Sequence, residues 1–373
     1  MRAVTATLIE PSRDLVFTLG PLPDLEELDG MWRSLDRVGT HSFFVTWTWI
    51  GALLRTVPDH GHVMLLAVSR GSQAVGLALV GLRNVVLGGV LPVRRACLNS
   101  LGDAELDCVE IEHNGFAATV SDDALWPSLM DWFAASPLDE MVVPGLATGR
   151  AGRTDGNIVR LARRSQGHRA PLEQVRAGGV ASLLSRNARQ QLGRSMRAYE
   201  VAAPVVLEVA ADVPTALDYF AGLKELHIRS WHRRGRRHAF DAPYFEVFHR
   251  ALIEAGVAEG SVDLLRVSAG SRVFGYLYNF RRNGVVSSYQ SGFDDDDPDL
   301  RPGYVCHAKA ISHYAAQGMS RYDFLAGTNR LKETFGKETY ELCWCHFRKP
   351  NAAFRAEALA RRAVGFLRRA RKG

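Results

Sequence analysis

Apolar and polar positions along this chain repeat with two different periods, and the switches between them mark out its elements. A helix-period stretch at "DLEELDGMWRSL" leads into the aromatic-rich "SFFVTWTWIGALLRTV". The alternating apolar segments "VMLLAVSRG" and "AVGLALVGLRNVVLGG" then predict a strand, a glycine turn and a second strand. "CLNSLGDAELDCVEIE" connects these to an amphipathic helix, "DALWPSLMDWFAAS", and a short strand, "DEMVVPGL".

The second half repeats that order. A helix, "DVPTALDYFAGLKELHIRSW", opens with Asp212 as N-cap and Pro214 in its first turn, and a second, "YFEVFHRALIEAG", ends at Gly256. "SVDLLRVSAG" and "RVFGYLYNFRRNG" form an antiparallel pair, followed by the strand "VVSSYQSGFDDDD". The loop "PDLRPG" then starts the helix "YVCHAKAISHYAAQG", with the strand "RYDFLAG", the short helix "NRLKETFG" and a last strand, "TYELCWCHFRK". Both halves thus run from a helical opening through antiparallel strands to a helix and another strand, an internal structural repeat without obvious sequence identity. Between them lies the Gly- and Arg-rich "GRAGRTDGNIVRLARRSQGHRAP", read as the boundary, and then "LLSRNARQQLGRSMRAYE", a helix that Ser185 can cap. The expected division is 1–170, 171–350 and a tail, 351–373.

Length and composition agree with two globular domains: 373 residues, 47% apolar and 23% charged. The five cysteines (Cys97, Cys108, Cys306, Cys343, Cys345) lack both zinc-site spacing and the density of a disulfide framework, so they read as cytosolic thiols. No run approaches the about 18 apolar residues of a membrane span, so the expectation is a cytoplasmic protein unless something else ties it to a membrane. The net charge of +6 belongs to the tail. Taking its seven basic residues and one acid (Glu357) from the 46 and 40 of the whole chain leaves 39 of each, which makes nucleic acid an unlikely partner. Plotted as a helix, the tail sets Leu359, Ala363, Phe366, Leu367 and Ala370 against Arg355, Arg361, Arg362, Arg368, Arg369 and Lys372, with Phe354 and Val364 off the apolar side; the pattern suits an anionic membrane surface, the alternatives being a helix docked on the body or one that touches RNA.

Particular segments of the second half, "SRNARQQLGRSMRAYE", "LHIRSWHRRG", "YQSGFD", "RPGYV" and "YDFLAGTNRLKETFG", resemble the CelD-like GNAT acyltransferases. These are relatives of the Fem peptidyltransferases, which carry two GNAT-like domains in tandem. The resemblance covers most of residues 20 to 350, closely in the second domain and in architecture alone in the first. It implies an α+β fold of two tandem GNAT-like domains with mixed, mainly antiparallel sheets flanked by helices, the first degenerate. It also implies an N-acyltransferase that takes an acyl group from acyl-CoA, or acyl carrier protein, to an amine. A membrane lipid amine such as a sphingoid base is the acceptor that the tail suggests. The rival readings are an acetyltransferase acting on an envelope polysaccharide precursor, a Fem-type aminoacyl-tRNA-dependent transferase, and a non-catalytic scaffold of an envelope-polymer complex.

"RPGYV" places Arg301, Pro302, Gly303, Tyr304 and Val305 at a helix N-terminus, where free backbone N–H groups and partial positive charge suit a pyrophosphate. Only Arg301 and Gly303 resemble the longer GNAT pattern, and taken alone the stretch is an ordinary turn. Amide formation from a thioester needs a neutral amine, oxyanion stabilisation and a proton for the leaving thiolate. The strand "SSYQSGF" lies where the fold carries out that chemistry. Tyr289 is a candidate proton donor there, or a strand tyrosine on the core, and it shares a face with Ser291 by alternation while Gln290 takes the other. His307 is a candidate base, or caps solvent.

Asp323, an acid in a core strand, needs a partner, either the acceptor's ammonium or a catalytic histidine. Lys332, which resembles a Fem-type lysine near the donor, neutralises phosphate or oxyanion charge, or is a solvated helix lysine. His227 and Trp231 lie one turn apart on a helix face with His232 beside them, and these three with Gln290 are candidate acceptor contacts. Cys306 raises an acyl-cysteine route to which no base is tied by spacing. "DDDDP" reads as a solvated loop, and no metal site is expected.

Overall fold

The computed structural model describes residues 14–87, 91–148, 158–201, 203–352 and 354–357. It divides into two compact units, one of Met1–Ile50, Pro58–Arg164 and Cys343–Gly373, the other of Gly51–Val57 and Ser165–Leu342. The sequence-based cut at 170 keeps the last strand whole. Here that strand is shared, its residues from Cys343 onward counting with the first unit. Both units are α+β.

The first unit runs β1 (Leu15–Pro21), α1 (Leu25–Asp36), the start of α2 (Trp47–Thr56), whose residues from Gly51 count with the second unit, β2 (Val63–Arg70), β3 (Gln73–Leu87), β4 (Leu91–Leu98), β5 (Ala117–Ala118), α3 (Asp122–Ala135) and β6 (Glu140–Ala147). Asp24 caps α1, accepting from the N–H groups of Glu26 and Glu27. β1, β2, β3 and β4 pair antiparallel in that order, and β4 pairs β6 in parallel. One face packs on α3 through Leu125, Trp126, Leu129 and Phe133.

The parallel pairing of β4 with β6 covers only Arg95↔Glu140, Ala96↔Met141 and Cys97↔Val142. Beyond it the connecting segment bonds to both strand ends. Asn99 donates to Asn114 Oδ1 at 2.8 Å and to the Gly115 carbonyl at 2.7 Å, and Asn114 donates to the Leu98 carbonyl at 3.0 Å and bridges to Leu146. Gly145, at φ +63°, lets residues 111–112 approach so closely that a Cβ would stand 2.2 Å from the Ile111 carbonyl oxygen.

The second unit continues with β7 (Val159–Pro171), α4 (Leu172–Gly178), α5 (Arg186–Tyr199), β8 (Val205–Val209), α6 (Val213–Arg233), α7 (Pro243–Ala258), β9 (Val262–Ala269), β10 (Arg272–Arg282), β11 (Val285–Phe293), α8 (Pro302–Ala316), β12 (Arg321–Ala326), α9 (Arg330–Phe335) and β13 (Glu338–Arg348). Ser185 and Asp212 cap α5 and α6 through the Ala188 and Thr215 N–H groups. β8 to β11 are antiparallel neighbours, β11 pairs β12 in parallel, and β12 pairs β7 antiparallel. The stretch read from sequence as a boundary linker is therefore in part a strand, β7. Its arginines cover aromatic rings instead of water, Arg163 over Trp344 at 4.1 Å and Arg169 over Tyr340 at 4.0 Å, so no apolar alternation marks it.

Candidate active site

β11 is paired along its length with β10, but with β12 only at Val285↔Arg321, Val286↔Tyr322 and Ser287↔Asp323. From Ser288 to Phe293 the two parallel strands part. The β10 register shifts at the same place, Tyr278 facing Gln290 and Asn279 facing Ser288, so Tyr289 is the extra residue of a bulge. The bulge breaks the simple alternation that sets Tyr289 with Ser291. Tyr289 is half-buried, its ring 5.0 Å from His249 and 5.0 Å from Phe280. Gln290 turns its Oε1 back onto the Ser291 N–H at 3.1 Å. Gly292 lets α6 approach, since a Cβ there would stand 2.3 Å from the Leu223 carbonyl oxygen.

The start of α8 lies at the end of that strand. A Cβ on Gly303 would fall 3.1 Å from Leu331 and 3.2 Å from the Phe293 ring, so glycine brings the first helical turn against β11 and α9. Arg301, left-handed at φ +49°, donates to Gln191 Oε1 at 2.5 Å and lies 5.9 Å from the Tyr304 ring. Tyr304 bonds Thr334 Oγ1 through its hydroxyl at 3.2 Å, while Pro302 and Val305 are buried. Arg301, Gly303 and Tyr304 are half-buried.

His307 is 5% exposed, its Nδ1 3.0 Å from the Tyr322 hydroxyl. Burial, with the Lys332 charge adding to it, holds its pKa down at about 3. It is no solvent cap. It is a neutral imidazole on a buried polar row in which Asn279 donates to the Tyr314 hydroxyl and Tyr314 to Asp263, at 3.2 and 2.8 Å.

Asp323 accepts from Arg169 at 2.8 Å, from the Tyr340 hydroxyl at 2.6 Å and from the Leu325 N–H at 2.9 Å. These partners take the place of the ammonium or histidine that the sequence suggested. Burial opposes the Arg169 charge, but the Asp323 carboxylate outweighs it and the guanidinium pKa moves up. Lys332 is not simply solvated. Asn329 caps its helix, and its Nζ donates to the carbonyl oxygens of Ala326 and Leu325, at 2.5 and 3.3 Å, where β12 ends.

On α6, His227 is 5% exposed and holds the Ser291 carbonyl of β11 through Nδ1 at 3.0 Å. Half-buried Trp231 stacks on it at 5.5 Å, and exposed His232 stands 3.4 Å from His238. The structure therefore brings His227, Trp231, Gln290 and Tyr289 to the α6 side of β11, and His307, Lys332 and Arg301 to the α8 and α9 side. Cys306 is buried, its Sγ 2.3 Å from where a Cβ on Gly275 would sit, and burial raises its pKa well above the ordinary value. The acyl-cysteine route fails for want of access and of a thiolate.

The acidic run is also not simply solvated. Asp294 accepts from Arg229 and Arg272, at 2.8 and 3.0 Å. Asp295 accepts from Ser230 and Arg234, at 2.8 and 2.9 Å, and Arg233 pairs with both Asp295 and Asp296. This clasp joins the end of β11 to the end of α6. Its signal in the sequence was the pairing of "DDDD" with "RSWHRR", two runs of opposite charge. Arg169 and Tyr340 were missed because they lie far from Asp323 along the chain. Among the described residues no group of His, Cys, Asp and Glu side chains is arranged to hold a metal ion, and no helix is long and apolar enough to cross a membrane.

Residues 186–333 match the acetyltransferase (GNAT) domain. They contain the wedge between β11 and β12, the first turn of α8 and Lys332. This stretch of the chain is thus a GNAT acetyltransferase domain, a class of domain that uses acyl-CoA and an amine. The fold of the chain is similar to that of FemX, at 12% identity and a TM-score of 0.54, with 87% of this chain and 96% of that chain covered. A tandem GNAT protein from the clavulanic acid biosynthesis pathway is 12% identical with a TM-score of 0.41, covering 89% and 98%. A conserved protein of unknown function from Bacteroides thetaiotaomicron is 9% identical with a TM-score of 0.48, covering 88% and 100%. No curated protein matches the chain.

Proposed function

We propose that this protein moves an acyl group from acyl-CoA to the nitrogen of an amine in the second unit, as the CelD-like acyltransferases it resembles are expected to do. The observation that carries this reading is the parting of β11 from β12 after Ser287↔Asp323. It leaves an edge of β11 unpaired by β12, where strand N–H groups can receive a thioester carbonyl. The pyrophosphate of the donor binds at Arg301 and the first turn of α8, which Gly303 holds against Phe293. Lys332, at the end of β12, adds positive charge beside it. Tyr289 gives its proton to the leaving thiolate, and Trp231, His232 and Gln290 contact the acceptor.

The acceptor is a lipid-soluble amine, such as a sphingoid base, brought to the protein at an anionic membrane surface. That part rests on the amphipathic pattern of the tail, of which residues 358–373 lie outside the described residues. Mass spectrometry of the products from an amine panel, with acyl-CoAs of graded length and acyl carrier protein as a separate donor arm, tests the reading. N-acylated amine with release of CoA supports it. Failure to bind either CoA or acyl-CoA in calorimetry, with no product, overturns it in favour of a scaffold.

A further inference from the structure

His227 holds the Ser291 carbonyl, a pure acceptor, so Nδ1 of the neutral ring must carry the proton. Nε2 is then a lone pair. It is buried and has no hydrogen-bond partner among the described residues. A buried acceptor without a donor is unfavourable, and this ring is held on the α6 side of β11 by Ser291, which lies two residues from the Tyr289 bulge in the strand that parts from β12. The N–H of an incoming amine is the donor that this reaction brings to that place.

We propose that Nε2 of His227 is the proton acceptor for the acceptor amine. The inference rests on the N-acyltransferase reading above. The amine enters neutral, having left its ammonium proton to water. Its nitrogen lone pair forms the C–N bond as the thioester carbonyl electrons move onto oxygen. Nε2 takes the N–H proton that bond formation acidifies. The oxyanion then reforms the carbonyl, and the C–S electron pair leaves with CoA thiolate, which is protonated by Tyr289. Water returns the His227 proton to Tyr289, so amide and free thiol are the net products.

The ring is suited to this. Burial keeps its pKa below the ordinary value, and His238 and Arg234 press in the same direction, so the lone pair is free at neutral pH. The groups around it are Trp231 and Arg234 at the end of α6, the Ser291 carbonyl of β11, and the rings of His238 and Phe240, at 5.9 and 5.4 Å. His238 in turn faces Asp241 and His232, at 3.3 and 3.4 Å. His238 and Phe240 belong to the α6–α7 connection, and on this proposal their rings must move aside for the amine to reach Nε2.

The test compares wild type with His227→Asn, whose amide can still donate to Ser291 but cannot take a proton, and with His227→Gln as a second variant. The acceptor is an aromatic amine that stays neutral across the pH range, so its own titration does not enter. Acyl-CoA affinity should match wild type in calorimetry. The kcat/KM for the amine should fall about a hundredfold or more, and the loss of activity that wild type shows below its histidine pKa should vanish from the residual rate. A variant that binds acyl-CoA and keeps both the rate and that acid limb overturns the inference alone. Wild type that makes no amide from any acyl-CoA and amine overturns the N-acyltransferase reading and this inference with it.

Discussion

Arg169 and Asp323 form an ion pair at 2.8 Å in which the carboxylate is only 1% exposed. Tyr340 and the Leu325 N–H complete its shell, so the acid ties three parts of the second unit together where β12 ends. Stability is the first thing its loss should change. Asp323→Ala leaves a half-buried guanidinium and the Tyr340 hydroxyl without their acceptor and should cost about 1–3 kcal/mol, while Asp323→Asn, which still accepts hydrogen bonds, should cost less. The shift of the urea midpoint at constant slope measures this. Lost turnover in a variant as stable as wild type would return Asp323 to the chemistry.

Lys332→Met should act the other way. Nζ caps two carbonyls at a strand end, and its removal should lower the thermal midpoint by a few degrees at most. If its charge stabilises donor or oxyanion, kcat/KM should fall by roughly tenfold to a hundredfold. Steady-state kinetics beside a melting curve separates the two effects, and unchanged turnover removes Lys332 from the site.

His307 makes a pH prediction with a definite sign. Its pKa falls from 6.5 in the unfolded chain to about 3 in the fold. Between those values the unfolded chain binds a proton that the folded chain refuses, so stability drops as pH falls through that window. The slope is up to about 1.4 kcal/mol per pH unit for one such group. His227 and His249, also lowered by burial, add in the same direction. Denaturation curves from pH 7 to pH 4 should show the slope, and His307→Gln should flatten it.

The clasp of Asp294, Asp295 and Asp296 on the α6 arginines is partly solvated, and exposed pairs contribute little singly. Asp295→Asn should destabilise by under about 1 kcal/mol at low salt and by less at 1 M salt, where screening is stronger. An undiminished effect at high salt would mean that packing, not charge, joins these elements.

The tail is best cut after residue 357. Phe354 is buried beside Val93, and Arg348 lies over its ring while pairing with Glu357 at 2.8 Å, so this segment belongs to the fold. Deleting residues 358–373 should release the protein from anionic vesicles in flotation and reduce activity on lipid amines more than on soluble ones. Equal flotation of both forms defeats the membrane assignment.

Elements that bury an apolar face were legible from the chain. The helices α6 and α8 and the strands β9 to β12 carry caps, turns and periodicities that local physics dictates. β7 was not, because its cationic side chains find aromatic partners supplied by β13. The site was legible in part for the same reason. "YQSGFD" and "RPGYV" mark its strand and helix, but the bulge at Tyr289 and the partners of Asp323 depend on register and on residues distant in sequence. Nor does sequence distinguish a histidine on a helix face from one whose second nitrogen is left open.

The Asn99 and Asn114 hydrogen bonds bear on stoichiometry. In the first unit, Asn114 bridges to Leu146 of β6 and donates to the Leu98 carbonyl at the end of β4, so a segment of the chain itself lies along the strand edge beyond Cys97↔Val142. An intramolecular occupant competes at a high effective concentration that a diffusing thioester cannot match. Donor binding should therefore saturate at one molecule per polypeptide, although the chain repeats its architecture twice.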